Sequence, residues 1–416
     1  LSRPSTSMKN RSIYIIALTL VFTAQAVLAQ AKLTEADYAR AEKMLSYNTS
    51  PLVDRNGVRP VSLPDGRFWY QVLTPTGREY VLVNPADGTK QTGDTLEKIG
   101  VSNPAGGGAG RFGGGLAVRS LDGKREVFIK DWNLWVRDVA TKKETQLTTD
   151  GVKDFGYATD NAGWKHSDRA IVLWSPDSKK VATFQQDQRN VSDMYLFRTN
   201  VGAPELEAWK YPLPQDKEIA KIHRVIIDVE TGKTIRLKMQ PDDHRSTLCD
   251  DISCGGSFDD NEWNPDSSSL AFVSSSRDHK DAKLRVANPA TGDVRDVFEE
   301  NVATQYESGQ GGVNWRYLPA SNEFIWYSEK DDWGHLYLYD LATGQLKNQI
   351  TKGNWVVTRI VEIDPKARVI FFEANGREPG RDPYFSHFYR VNFDGSGLKL
   401  LTPEDGNHQV TLLPGG

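Results

Sequence analysis

VLWSPDSKKVATF, residues 172–184, and EWNPDSSSLAFV, residues 262–273, follow one plan. In each, a Trp precedes a Pro-Asp turn, Ser or Lys follows, and a short apolar strand comes next. Pro-Asp and Ser are turn formers, and a brief apolar run bounded by turns reads as a strand. The chain's last residues, HQVTLLPGG, open like a further unit and stop.

A second element repeats around these two. LVNPADG, VRDVATK, IIDVETG, VANPATG, LYDLATG and VNFDGSG each place an Asp or Asn at the end of an alternating strand: Asn84, Asp138, Asp228, Asn288, Asp340 and Asn392. In five of the six a Gly follows three or four residues later, and Lys142 stands there in the Asp138 copy. Asx side chains bond the backbone two residues on, and Gly accepts positive φ, so these are hairpin turns. Successive spacings are 54, 90, 60, 52 and 52 residues. A period near 50 with Trp-rich strands marks propeller blades.

Each unit reads as four strands. In FIWYSEKDDWGHLYLYDLATGQLKNQIT, the segments 324–328, 335–339 and 346–350 are strands, and one before the preceding turn supplies the fourth. A single blade cannot cover both its faces, so blades stack. Six copies, one more within the 90-residue interval and one begun at the end predict an all-β propeller of seven to eight four-stranded blades, the last incomplete. The Pro-rich GAPELEAWKYPLPQDKE, residues 202–218, reads as an insertion projecting from one blade. One helix is expected, in LTEADYARAEKMLSYN, with Thr34 as N-cap, Asp37 three residues on, and Tyr38, Ala41 and Leu45 on a packing face.

Composition fits this reading. The 416 residues include 35 Gly, 20 Pro and 10% aromatics, which favour strands and tight turns. A net charge of −4 without a Lys/Arg block argues against nucleic acid. Met8-Lys9-Asn10-Arg11, an apolar run from Ile13 to Val27 and the small residues to Ala29 form a secretory signal, too short for a membrane span. The expected domains are 1–29, signal peptide and upstream residues; 30–59, helix and linker; and 60–416, the propeller, in the periplasm or outside the cell. In that compartment Cys249 and Cys254 read as a small disulfide or as free thiols. A metal site with Asp242, Asp243, His244, Asp250 and Asp251 lacks zinc-ligand spacing.

Two motifs mislead. GAGRFG, Gly108–Gly113, fits a dinucleotide fingerprint, but no strand precedes it and no helix follows, so a loop is expected and no cofactor. His335 opens a strand, where a structural hydrogen bond is the expected role. No serine lies in G-x-S-x-G, so no nucleophile elbow is present.

With these repeats laid out, the chain from Leu33 to Gly416 resembles the N-terminal β-propeller region of the dipeptidyl peptidase IV family, serine peptidases of the prolyl oligopeptidase superfamily. DWNLWVRD, VLWSPDSKK, SEKDDWGHLYLYDLATG, QITKGNWVV and GRDPYFSHFYRVNFDG carry the likeness, in that order. The resemblance implies a propeller capping an α/β-hydrolase domain with a Ser-Asp-His triad. That domain is expected after the final propeller strands, so the sequence reads as truncated before it and inactive alone. The implied function is a non-catalytic cap that gates peptide substrates, with homodimers of the full-length protein. The alternative is a free-standing exported propeller that binds or scaffolds without peptidase activity.

Members of the family hold the substrate's amine with paired glutamates in a segment resembling Asp-Trp-x-Tyr-Glu-Glu. Here DFGYATDNAGW, residues 154–164, supplies Asp154 and Tyr157, but Ala158 and Thr159 replace the carboxylates. Only Asp160 is left to contact a peptide amine, and one Asp grips an ammonium more loosely than two Glu. Dipeptidyl specificity is therefore in question, and an endopeptidase or an altered exopeptidase enters.

Overall fold

Strand after strand in this chain is buried on both faces, and that pattern dictates the architecture. A computed structural model describes residues 33–55, 58–74, 77–101, 116–159, 168–199, 202–243, 258, 260–308 and 314–412. They fall into two units, 1–108 with 413–416, and 109–412.

In the smaller unit, Val61–Ser62, Phe68–Thr74, Gly77–Asn84 and Thr89–Gly93 form the first sheet, antiparallel in chain order. The predicted helix forms at Glu35–Glu42, with Thr34 and Asp37 exchanging both bonds of a capping box. Its expected packing face is not covered: none of its residues is buried, and Tyr38 is 64% exposed.

The larger unit repeats the same four-strand order. Its second sheet comprises Val118–Arg119, Arg125–Lys130, Asn133–Asp138 and Glu144–Gln146. The third comprises Leu173–Trp174, Lys180–Asp187, Lys221–Asp228 and Thr234–Arg236, with Phe155–Tyr157 and Asp242–Asp243 paired alongside. Asn261–Trp263, Leu270–Ser275, Asp281–Ala287 and Val294–Asn301 make the fourth. Arg316–Leu318, Glu323–Ser328, His335–Asp340 and Leu346–Gln349 make the fifth. Val356–Asp364, Val369–Asn375, Ser386–Asn392 and Lys399–Leu400 make the sixth.

Every Asx turn of the sequence joins the third and fourth strands of one of these six sheets. The described residues of the long 138–228 interval hold no additional four-stranded sheet. They hold a two-stranded ribbon, Asp193–Arg198 paired with Glu205–Lys210, inserted between the second and third strands of the third sheet.

Within the larger unit the sheets stack in chain order. Val225 and Ile227 pack with Val127 and Leu134 of the second sheet, while Ile226 between them packs with Phe272 of the fourth. Ala271 and Val273 join Phe324 and Trp326, while Ile325 joins Val357, Ile370 and Phe372. Alternate side chains point to opposite faces, so a sheet sandwiched between two others needs apolar residues at successive positions. Leu270–Ser275 and Glu323–Ser328 are buried at every residue. Each large side chain so enclosed contributes roughly 1.5–3 kcal/mol.

The repeated motifs are the seams between sheets. The Trp174 indole donates to the Val118 carbonyl of the second sheet (3.1 Å), and Trp263 donates to Leu173 of the third (3.3 Å). Ser178 and Ser267, both at left-handed φ, accept from the backbone N–H groups of Asp122 and Asp177 in the preceding turns, each at 3.1 Å. The turn glycines make a second seam. A Cβ on Gly292 would meet the Arg236 carbonyl oxygen at 2.6 Å, one on Gly344 the Val297 oxygen at 2.3 Å, and one on Gly395 the Ile350 oxygen at 2.9 Å. Lys142 takes φ +60° where the other copies have Gly.

Glu323 clamps the fifth sheet to the sixth. Its buried carboxylate accepts from Lys347 and from both terminal nitrogens of Arg368, at 2.8 and 3.2 Å. Burial pushes its pKa up, but the bonds from Arg368 and Lys347 outweigh this and bring it from 4.5 to about 2. Because the folded value is the lower one, the clamp's contribution is present above pH 4.5 and is lost as pH falls through about 2.

Two measurements check these seams. Gly344→Ala should cost about 3 kcal/mol or more in urea unfolding, and Gly380→Ala, at φ +77° with nothing within 4 Å, only about 1–2 kcal/mol. Equal costs would remove the neighbouring backbone from the explanation. Glu323→Gln should lower stability at pH 7 by about 1–3 kcal/mol and flatten the acid limb of stability between pH 4.5 and 2. An unchanged acid limb would show that Glu323 does not control it.

Candidate functional site: the seam at Asp154–Thr159

The site implied by the amine-binding frame lies where the second sheet meets the third. Its support begins at Asp131 and Trp132, the two-residue turn between Arg125–Lys130 and Asn133–Asp138, with φ of +50° and +66°. Two successive left-handed residues match the right-handed twist of a tight hairpin. Asn133 then fastens the turn. Its amide donates to the carbonyls of Asp131 (2.9 Å) and Gly151 (3.0 Å), and its oxygen accepts from Thr148 (3.0 Å) and the Gly151 N–H (2.9 Å). All four bonds of one buried side chain are thus made. Only glycine fits at 151, since a Cβ there would stand 2.2 Å from the Trp132 carbonyl oxygen.

The frame itself is stitched to both sheets. Tyr157 N–H donates to the Trp132 carbonyl and Ala158 N–H to that of Phe184, both at 2.9 Å. Phe155–Tyr157 pairs with Gln185–Asp187, and Gln188 N–H donates to the Asp154 carbonyl at 2.9 Å. The buried Tyr157 hydroxyl donates to Asp150 at 2.8 Å. Burial first, and the Asp150 carboxylate second, push that phenol well above its ordinary pKa, so it stays a neutral donor.

Asp154 and Tyr157 are therefore structural members of this seam. Ala158 is 0% exposed at φ +55° and sits among Val127, Leu134, Trp174 and Val181, while Thr159 is 5% exposed. Neither position faces solvent. Asp160, Cys249, Cys254 and the Gly108–Gly113 motif lie outside the described residues. His335 has the structural role expected of it. One ring nitrogen meets the Thr351 hydroxyl at 3.0 Å and the other the Gly353 carbonyl at 2.9 Å, with both His335 and Thr351 1% exposed. Burial lowers the imidazole pKa, and the Gly353 carbonyl opposes this. A Thr-His pair so enclosed cannot reach a substrate.

Beside the frame, Trp132, Lys153, Asp154, Gln188, Trp209 and Lys210 line a cleft of about 240 Å³ at the base of the ribbon. Lys210 is held there by the Val191 carbonyl (2.9 Å) and Asp193 (3.3 Å). The Gln188 amide reaches Asp154 at 3.4 Å. Two indoles, the carboxylates of Asp154 and Asp193, an amide and two ammonium groups can bind polar ligands, and the lining includes no Ser, Thr or Cys. Sequence reading missed this cleft, because the ribbon brings Trp209 and Lys210 beside Trp132 from far along the chain. Among the described residues, no group of three or more His, Cys, Asp or Glu side chains is arranged to hold a metal. No helix among them is long and apolar enough to cross a membrane.

Known proteins agree with this architecture. The probable dipeptidyl-aminopeptidase B of Arthroderma otae is 22% identical over 319 residues, covering 70% of this chain and 33% of that protein. The probable dipeptidyl peptidase 4 of Emericella nidulans is 24% identical over 300 residues, covering 65% and 36%. This chain thus spans about a third of the length of these curated relatives. The crystal structure of Porphyromonas gingivalis dipeptidyl peptidase 4 superposes with a TM-score of 0.54 at 18% identity, over 83% of this chain and 46% of that one, a likeness of fold. The family model for the dipeptidyl peptidase IV N-terminal region matches residues 115–415, taking in every strand of the second to sixth sheets. The chain belongs to that family.

Proposed function

We propose that residues 60–416 act as the propeller cap of an exported serine peptidase, gating and positioning peptides for an α/β-hydrolase domain outside this sequence. The family match over residues 115–415 carries this reading, and the serial stacking of four-stranded sheets supports it. Closure of the stack into a ring belongs to the same proposal, as do export through residues 1–29 to the periplasm or cell exterior and dimerisation of the full-length protein. The cap's contribution is selection. A rigid stack admits short extended peptides and holds folded proteins away from the reactive centre.

The buried Ala158 and Thr159 argue for a substrate set that does not depend on paired carboxylates at those positions. The second reading, an exported binding module without peptidase activity, draws on one observation. Tyr195, Phe197 and Leu206 share one face of the ribbon and are 59, 70 and 58% exposed.

Two experiments test the proposal. The purified chain should show no hydrolysis of chromogenic dipeptide substrates, since no G-x-S-x-G is present. Turnover abolished by a serine-directed inhibitor would overturn it. Ala158→Glu should not create an amine site. It should destabilise the larger unit by about 3 kcal/mol or more, the cost of forcing a carboxylate among Val127, Leu134 and Trp174. Native stability together with new affinity for a peptide amine would show that position 158 opens to the substrate.

A further inference from the structure

The last described stretch, residues 401–412, has no regular strand structure, yet the backbone of Ser386–Asn392 and the side chains of Arg359 and Arg381 bind it repeatedly. Leu401 N–H donates to the Phe388 carbonyl (2.8 Å) and His408 N–H to that of Ser386 (2.9 Å), so the segment runs back along Ser386–Asn392. The Thr402 hydroxyl accepts from Phe388 N–H, and the Asn407 side chain from Ser386 N–H. Arg381 donates to the carbonyls of Pro403 (2.5 Å) and Glu404 (3.1 Å). Arg359, paired with Glu373, donates to the Val410 carbonyl at 3.1 Å.

Beneath this segment lies His387. It is 2% exposed, and neither ring nitrogen completes a hydrogen bond. Its ring faces that of His408 at 5.3 Å between centroids, tilted by 44°. His408 in turn holds the Glu404 carbonyl through Nε2 at 3.1 Å.

We infer that residues 401–412 form a pH-sensitive strap, latched by the His387–His408 contact when His387 is neutral and released when it is protonated. A buried imidazole that completes no hydrogen bond, with the Thr402 backbone near it, tolerates neutrality and resists charge. An imidazolium there meets the Arg381 guanidinium, and a charged His408 when that ring is also protonated. Burial first, then Arg381 and His408, hold the His387 pKa below its ordinary value, while the Thr402 backbone and Glu378 pull the other way. On the neighbouring strands Glu373 is engaged with Arg359, and on its own strand Arg390 reaches toward Asn392. The folded value being the lower one, the latch is whole above pH 6.5 and is lost as pH falls through the folded value.

Hydrogen exchange read by mass spectrometry on the full chain tests this at pH 7.5 and 5.0, with intrinsic rates corrected. Peptides covering 401–412 should exchange at least about threefold faster at the lower pH, while the strands of the fourth and fifth sheets keep their protection. His387→Phe should abolish that acid response. His408→Ala, at a partly exposed position, should weaken it and guards against failure of the first variant to fold. A strap whose corrected exchange ignores pH, or an acid response unchanged in either variant, would overturn the inference.

Discussion

The close approach of a turn glycine to the backbone of the preceding sheet is the constraint on which the larger unit depends. At Gly292, Gly344 and Gly395 the third-to-fourth strand turn comes so near the neighbour's outermost strand that no side chain fits. At Trp174 and Trp263 the same neighbour is held at its first strand by an indole N–H. The fourth sheet is thus tied to the third at both margins, through Trp263 and Gly292. The apolar clusters fill the space between neighbouring sheets. A repeat of about 50 residues follows, because one unit must supply four strands and both ties.

Stacking on both faces also determines where charge can go. Arg224 of the third sheet is buried, with its guanidinium bound to Asp242 (2.6 Å), Asn261 (3.1 Å) and the Val273 carbonyl (3.1 Å). Glu323 plays the corresponding part between the fifth and sixth sheets. A charge between two sheets is tolerated only when every polar atom near it is paired. Such clamps are directional where apolar packing is not, and they oppose sliding of one sheet over the next.

The parts legible in the sequence were those whose cause is local. Asn84, Asp138, Asp228, Asn288, Asp340 and Asn392 announce hairpins because Asx and Gly carry their turn preference with them. The helix at Glu35–Glu42 was legible for the same reason, through Thr34 and Asp37. Its exposure was not, since what covers Tyr38 is a tertiary question. The Pro-rich stretch 202–218 announces an insertion, but not its pairing of Glu205–Lys210 with Asp193–Arg198, which lies before that stretch. The second role of the glycines, and the partners of Trp174 and Ser178, lie in a different repeat and leave no mark on their own. His387 is the extreme case. Nothing in SHFYRVN distinguishes a buried imidazole that completes no hydrogen bond from an ordinary strand residue.

The segment Asp154–Thr159 is held by structural demands. The duties of Asp154 and Tyr157 are structural: Tyr157 reaches Asp150, and the backbone of both joins the second sheet to the third. The next two positions turn inward, and there the demand is for small volume. Ala158 adopts left-handed φ inside an apolar cluster, where a carboxylate would have to shed its water without a cation to receive it. A pair of glutamates could enter only if the backbone after Tyr157 left the seam, breaking the bonds from Ala158 to Phe184 and from Ile171 to Ala158. Tight joining of the two sheets and an open carboxylate pair at 158 and 159 are therefore mutually exclusive here, and this sequence has taken the joint.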